Sequence, residues 1–196
     1  MHRLILILAL FGGSRSFANQ PPLPTGKDLD GQIVAPFNPS SEIRAVVLFF
    51  TAPDCPIANR YAPAIQRLAR EFEEHHIQSW LVYADDLADA DAIRKHRSDF
   101  DFELPAVIDR SFGIADYVQA DVTPEAIVIV FSEESRAPTV VYRGRIDDQY
   151  QDFGKYRPVA TQHDLRDLLE QIAAGNVPRL TTTKAIGCYI PRPLLR

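Results

Sequence analysis

The 196-residue sequence predicts an α/β domain in which one central mixed sheet carries helices on both faces. Three observations carry this. Residues 45–50, 77–83 and 125–131 are near-continuous apolar runs rich in β-branched and aromatic side chains, the pattern of strands buried on both sides. Between and after them, apolar residues recur at helical spacing. The resulting order is strand, helix, strand, helix, a short connection, two adjacent strands and a helix. A βαβ unit followed by a ββα unit packs as three layers.

Asp30-Gly31 is a turn signal, followed by a short strand-like alternation over 32–37. The run 45–50 reads as the central strand. Pro53 and Pro56 then interrupt the chain, and Ile57, Tyr61, Ile65, Leu68 and Phe72 mark one face of a helix. Pro63 fits either the first turn of that helix or a kink. A second buried strand is predicted over 77–83, an amphipathic helix over 85–96, a short strand over 105–109 and a short helix over 111–117. Strands over 125–131 and 139–146 flank the polar loop 132–138. A last helix over 162–174 presents Leu165, Leu168, Leu169 and Ile172 and stops at Gly175-Asn176.

Before the domain, His2 and Arg3 precede an apolar stretch over 4–11, a Gly-Gly-Ser break and the small residues Ser16 and Ala18. This predicts a secretory signal peptide over 1–18, and hence a periplasmic or secreted protein. A short N-terminal anchor or buried helix is the other reading. The apolar stretch is well short of the roughly 20 residues of a membrane span. Cleavage removes Arg3 and Arg15 and no acid, so the net charge of -5 becomes -7. An acidic chain lacks the basic footprint of a nucleic-acid binder. The remaining organisation is a leader over 19–30, a domain over 31–180 and a tail over 181–196.

Both cysteines, Cys55 and Cys188, lie beyond the predicted cleavage site, in a compartment where disulfides persist. Cys55 stands between a buried strand and a helix start, where unpaired amides and the positive end of the helix dipole favour a thiolate. The same position also suits an inert structural cysteine. Val122-Thr123-Pro124 leads directly into the strand over 125–131. The proline is either a strand-entry residue or a cis proline that presents backbone to whatever binds at Cys55.

The stretch Val46-Val47-Leu48-Phe49-Phe50-Thr51-Ala52-Pro53-Asp54-Cys55-Pro56 resembles the thioredoxin-like redoxins, as do Val107-Ile108-Asp109, Phe112-Gly113-Ile114 and Val122-Thr123-Pro124-Glu125-Ala126. That group contains exported thiol–disulfide reductases and alkyl hydroperoxide reductase-type proteins. The resemblance spans about 31–176 and implies a thioredoxin fold, a nucleophilic Cys55 and a cis Thr123–Pro124 bond. Pro53, Asp54, Thr123 and Pro124 are then the residues expected to contact substrate.

The departures are as informative. The second cysteine of a dithiol reductase belongs three positions on, where this chain has Ala58. The buried strand acid of thioredoxins falls at Phe49, and the threonine that peroxidases carry shortly before the cysteine is out of place, Thr51 lying further back. Copper-delivering relatives place a second cysteine at the position of Asn59. No haem-attachment or zinc-site spacing occurs, so neither cofactor nor metal is expected. Arg60, Arg143 and Arg145 are candidates to stabilise a thiolate or an oxygen anion, and Asp147-Asp148 reads as a solvated turn.

Cys188 lies in a tail whose Ile186, Tyr189 and Ile190 are more apolar than a loose end requires. The tail therefore either folds back to bring Cys188 to Cys55, as a resolving or disulfide-bonding partner, or docks with an unrelated free thiol. The leading functional expectation is a thiol oxidoreductase acting on a disulfide or a peroxide, with Cys55 as nucleophile and Cys188 resolving, and with a thiol or disulfide protein or a peroxide as its partner. The alternatives are a non-catalytic binding module on the same scaffold and a metal site built from both cysteines and a histidine.

Overall fold

The computed structural model describes residues 22–193, so the expected signal peptide lies outside the described residues. Two short strands, β1 (Gly26–Lys27) and β2 (Ile33–Val34), precede the central strand β3 (Ala45–Phe50) and the long helix α1 (Pro56–Glu73). Then come β4 (Ile77–Tyr83), α2 (Ala90–Asp99), β5 (Ala106–Ile108) and α3 (Gly113–Val118). After these follow β6 (Val122–Thr123), β7 (Glu125–Phe131) and β8 (Pro138–Gly144). A small ribbon of β9 (Tyr150–Asp152) and β10 (Lys155–Tyr156) leads to α4 (Asp164–Ala173). The tail adds β11 (Thr181–Thr182) and β12 (Cys188–Tyr189).

The main sheet runs β11-β8-β7-β3-β4-β5-β1-β2. β3, β4 and β5 are mutually parallel, while β7 pairs antiparallel with both β3 and β8. Every residue of β3 is buried because the sheet is covered on both sides. Val47 and Phe49 face α1 and α4, meeting Ile65, Leu68, Leu165 and Leu169. Val46, Leu48 and Phe50 face the other way, onto Ile114, Ala115 and Val118 of α3 and onto Phe37. Each such side chain contributes about 1.5–3 kcal/mol by leaving water. This is the thioredoxin-like α/β plan that the resemblance implies. Among the described residues no helix is long and apolar enough to cross a membrane.

Several elements differ from the sequence reading. The 32–37 strand shrinks to Ile33–Val34, with Ile33 exposed. The helix expected over 85–96 begins at Ala90, because Asp85 accepts from the Leu87 amide in a local turn and Asp89 caps the helix through the Asp91 amide. Pro63 lies inside α1. Asp147 and Asp148 are not a solvated turn but are buried. Asp147 accepts from the Tyr61 hydroxyl at 2.6 Å. Asp148 receives the Thr161 amide at 2.6 Å, the Thr161 hydroxyl at 2.6 Å and the Gln162 amide at 3.0 Å, and it pairs with Arg157. The Thr161 hydroxyl leads the groups that hold the Asp148 carboxyl well below the usual carboxylate range.

The tail crosses the end of the sheet from one face to the other. Thr181 and Thr182 add a parallel edge to β8, opposite Tyr142 and Arg143. Gly144 allows this approach: it has φ +152°, and a Cβ there would sit 2.4 Å from the Thr183 carbonyl oxygen. Ile186 then enters the core beneath α1 and α4, and Ile190 enters the core on the opposite face. Arg192 fastens the far end to Asp116, Asp121 and the Ala120 carbonyl.

Candidate functional site

Cys55 is the N-cap of α1. Its φ/ψ of -88°/104° are extended, Pro56 occupies the first helical position, and the Ala58 amide donates to Sγ at 3.4 Å. Its thiol donates to the Thr123 carbonyl at 3.0 Å. The side chain is only 1% exposed.

A chain of polar groups, buried at Tyr83 and His96, braces the loop ahead of it. The Asn59 amide nitrogen donates to the Pro53 carbonyl at 3.0 Å, so its oxygen is free to accept from His96 Nε2 at 2.9 Å. That leaves His96 Nδ1 to accept from the Tyr83 hydroxyl at 2.9 Å. These bonds assign a neutral imidazole protonated on Nε2. Burial holds the His96 pKa below its ordinary value, against the opposing charge of Asp99.

Facing Cys55 is the loop that joins β6 to β7. Its Thr123–Pro124 peptide bond is cis. Glu125 steadies this loop by accepting from the Asp121 amide at 2.9 Å, and burial pushes the Glu125 carboxyl above its usual range. β12 lies antiparallel on β6, pairing Cys188 with Thr123 and Tyr189 with Val122. The Thr123 hydroxyl donates to the Cys188 carbonyl at 3.5 Å. Gly187 makes the contact possible, since a Cβ on it would meet the Thr123 carbonyl oxygen at 2.0 Å and the Pro124 nitrogen at 3.0 Å.

The two cysteines are unbonded, and each perturbs the other. Burial pushes the Cys55 thiol up, but this is outweighed by hydrogen bonding from the Cys188 and Thr123 side chains and from the Ala58 and Cys188 backbone. The net effect is a Cys55 pKa below the ordinary thiol value. Cys188 is pushed up to about 11 by burial, by its Cys55 neighbour and by the charge of Asp54. The two thiols are thus shifted in opposite directions, Cys55 down and Cys188 up.

All six residues read from the sequence as site residues converge here. Pro53, Asp54, Thr123 and Cys188 line one cavity of about 350 Å³, while Cys55 and Pro124 lie beside it beneath the tail. The three arginines are engaged elsewhere. Arg60 lies over the Tyr156 ring, Arg143 bonds Gln119 and Arg145 pairs with Asp164. The His96–Asn59 brace and the role of Gly187 escaped the sequence reading. A glycine immediately before the tail cysteine was the one visible signal of close approach.

The family described as AhpC/TSA matches residues 20–141. No curated protein matches the sequence. Among solved structures, a hypothetical protein from Sinorhizobium meliloti superposes with a TM-score of 0.67 at 21% identity, covering 88% of this chain and 95% of its own. An uncharacterized conserved protein from Geobacillus kaustophilus gives 0.68 at 18% identity, covering 89% and 92%. The thioredoxin domain of a thiol-disulfide oxidoreductase from Bacteroides vulgatus gives 0.54 at 15% identity, covering 78% and 94%.

Proposed function

The chain belongs to the AhpC/TSA family, and from that premise we propose that it is a thiol oxidoreductase whose working couple is Cys55 and Cys188. The observation that carries this reading is the pairing of Cys188 with Thr123, the residue whose carbonyl accepts the Cys55 thiol. Ala58 stands where a local partner would be, and the tail supplies a distant one.

With a disulfide as substrate, the tail lifts from Cys55, whose thiolate attacks one sulfur while the other leaves as thiolate, giving a mixed disulfide on Cys55. Cys188 then attacks the Cys55 sulfur, expels the reduced substrate and closes a Cys55–Cys188 disulfide. With a peroxide, the Cys55 thiolate attacks one oxygen, the O–O bond breaks, and the other oxygen takes a proton and leaves as water or an alcohol. The resulting sulfenic acid condenses with Cys188 and releases water. Either route fits an exported protein, because the disulfide state persists outside the cytosol. The signal-peptide reading of residues 1–18 supports export.

The test is turnover with dithiothreitol as reductant, on a protein disulfide and on hydrogen peroxide, for wild type, Cys55→Ser and Cys188→Ser. Cys55→Ser should abolish both activities. Cys188→Ser should stall with the substrate or a sulfenic acid held on Cys55. Full turnover by Cys55→Ser overturns the reading in favour of a binding module.

A further inference from the structure

We propose that external thiols reduce the Cys55–Cys188 disulfide by exchange at the Cys188 sulfur, through the acidic cavity that Cys188 lines, and that this entry selects cationic thiols over anionic ones. The inference rests on the redox couple proposed above and concerns the step that restores the dithiol.

Once the disulfide holds the tail onto Cys55, access decides which sulfur a partner reaches. Cys55 is 1% exposed and does not line the cavity, because β12 and the Thr123–Pro124 loop cover it. Cys188 is partly exposed and forms part of the cavity wall with Thr51, Pro53 and Tyr83. Its neighbour Tyr189 is 79% exposed, so β12 itself offers the approach. Attack at Cys188 expels Cys55 as a thiolate at the start of α1, where the Ala58 amide donates to its sulfur.

The exchange balances. An external thiolate attacks the Cys188 sulfur, the S–S bond breaks, and its electron pair leaves on Cys55 as thiolate. A second external thiol attacks the outer sulfur of the mixed disulfide on Cys188. Cys188 is released, and the two external thiols depart as one disulfide, having given two electrons to the protein.

The same cavity sets the charge preference. Asp54, Asp85 and Asp89 line it, and among the described residues no lysine or arginine does. Three carboxylates lining one cavity attract a cationic thiol and repel an anionic one, in a salt-dependent way.

The experiment starts from wild-type protein oxidised with glutathione disulfide. That step first reads whether the Cys55–Cys188 disulfide exists: two free thiols here overturn the couple and this inference together. The disulfide form is then pulsed with limiting cysteamine, quenched in acid, alkylated and mapped by mass spectrometry. Cysteamine on the Cys188 peptide with Cys55 alkylated is the expected result. Cysteamine on Cys55 overturns the inference while leaving the couple intact. Reduction rates with cysteamine and 2-mercaptoethanesulfonate are each normalised to a small model disulfide. Cysteamine should be favoured about fivefold at low salt, and the preference should shrink at high salt and in Asp54→Asn. Equal normalised rates overturn the charge selection.

Discussion

Substituting Gly187 by alanine isolates the contact on which the redox couple depends. The added Cβ would fall 2.0 Å from the Thr123 carbonyl oxygen and 2.5 Å from its carbon. Both are backbone atoms of a loop fixed between β6 and β7, so no side chain can rotate away. Forcing a methyl group into such a contact costs about 1–3 kcal/mol where neighbours shift to accommodate it. Against this the tail sets the burial of Ile186 and Ile190 and the Arg192 bonds to Asp116, Asp121 and the Ala120 carbonyl. Burying Ile186 and Ile190 contributes about 1.5–3 kcal/mol each, while fixing the backbone costs roughly 1–2 kcal/mol per residue. The cheapest response is for residues 186–190 to lift off. A shift of about 1–3 kcal/mol lowers the docking equilibrium constant roughly 5- to 150-fold. Closure of the Cys55–Cys188 disulfide should slow by up to the same factor, because Cys188 reaches Cys55 only when docked. The assay adds glutathione disulfide to the reduced protein and follows closure of the Cys55–Cys188 disulfide by acid-quenched mass spectrometry. Hydrogen exchange at the Ile190 amide, bonded to the Asp121 carbonyl at 2.9 Å, reports undocking independently. Wild-type closure together with wild-type Ile190 protection in Gly187→Ala would refute the reasoning.

Two further outcomes follow from the site. Removing the Cys188 side chain in Cys188→Ala deletes a hydrogen bond that lowers the Cys55 pKa, so the alkylation pH profile of Cys55 should move to higher pH; an unmoved profile contradicts the coupling. His96 has a folded-state pKa below its unfolded value of about 6.5, so the folded protein binds fewer protons there. Its contribution to stability is complete above that unfolded value and is lost as pH falls through it towards the folded pKa. Urea midpoints measured from pH 7.5 down to 5 should fall less steeply for His96→Asn than for wild type. Identical slopes would remove His96 from the account.

The parts of the molecule held by local pattern were legible in the sequence. The apolar run of β3 fixes a strand buried on both sides, and the spacing from Ile57 to Phe72 fixes the helix that Cys55 caps. Those two elements alone put the thiol at a helix start. The parts that stayed hidden depend on contacts between distant residues. Asp147 and Asp148 look like a polar turn until Tyr61, Arg157 and Thr161 fold around them. β11 and β12 are two residues each, too short to show any periodicity, and they exist because β8 and β6 offer unpaired edges. The brace from Tyr83 through His96 to Asn59 joins a strand and two helices, and none of the three residues advertises it alone. Helix boundaries moved for local reasons, as where Asp85 and Asp89 form successive turns ahead of α2.

Cys55 and Cys188 as one redox couple is the central claim, and non-reducing peptide mapping of the oxidised full chain tests it most directly. The account predicts a cross-linked peptide pair joining the Cys55 and Cys188 segments, lost on reduction and regained on reoxidation. Two cysteines that remain free thiols under the same oxidising conditions, both alkylated without prior reduction, would contradict it.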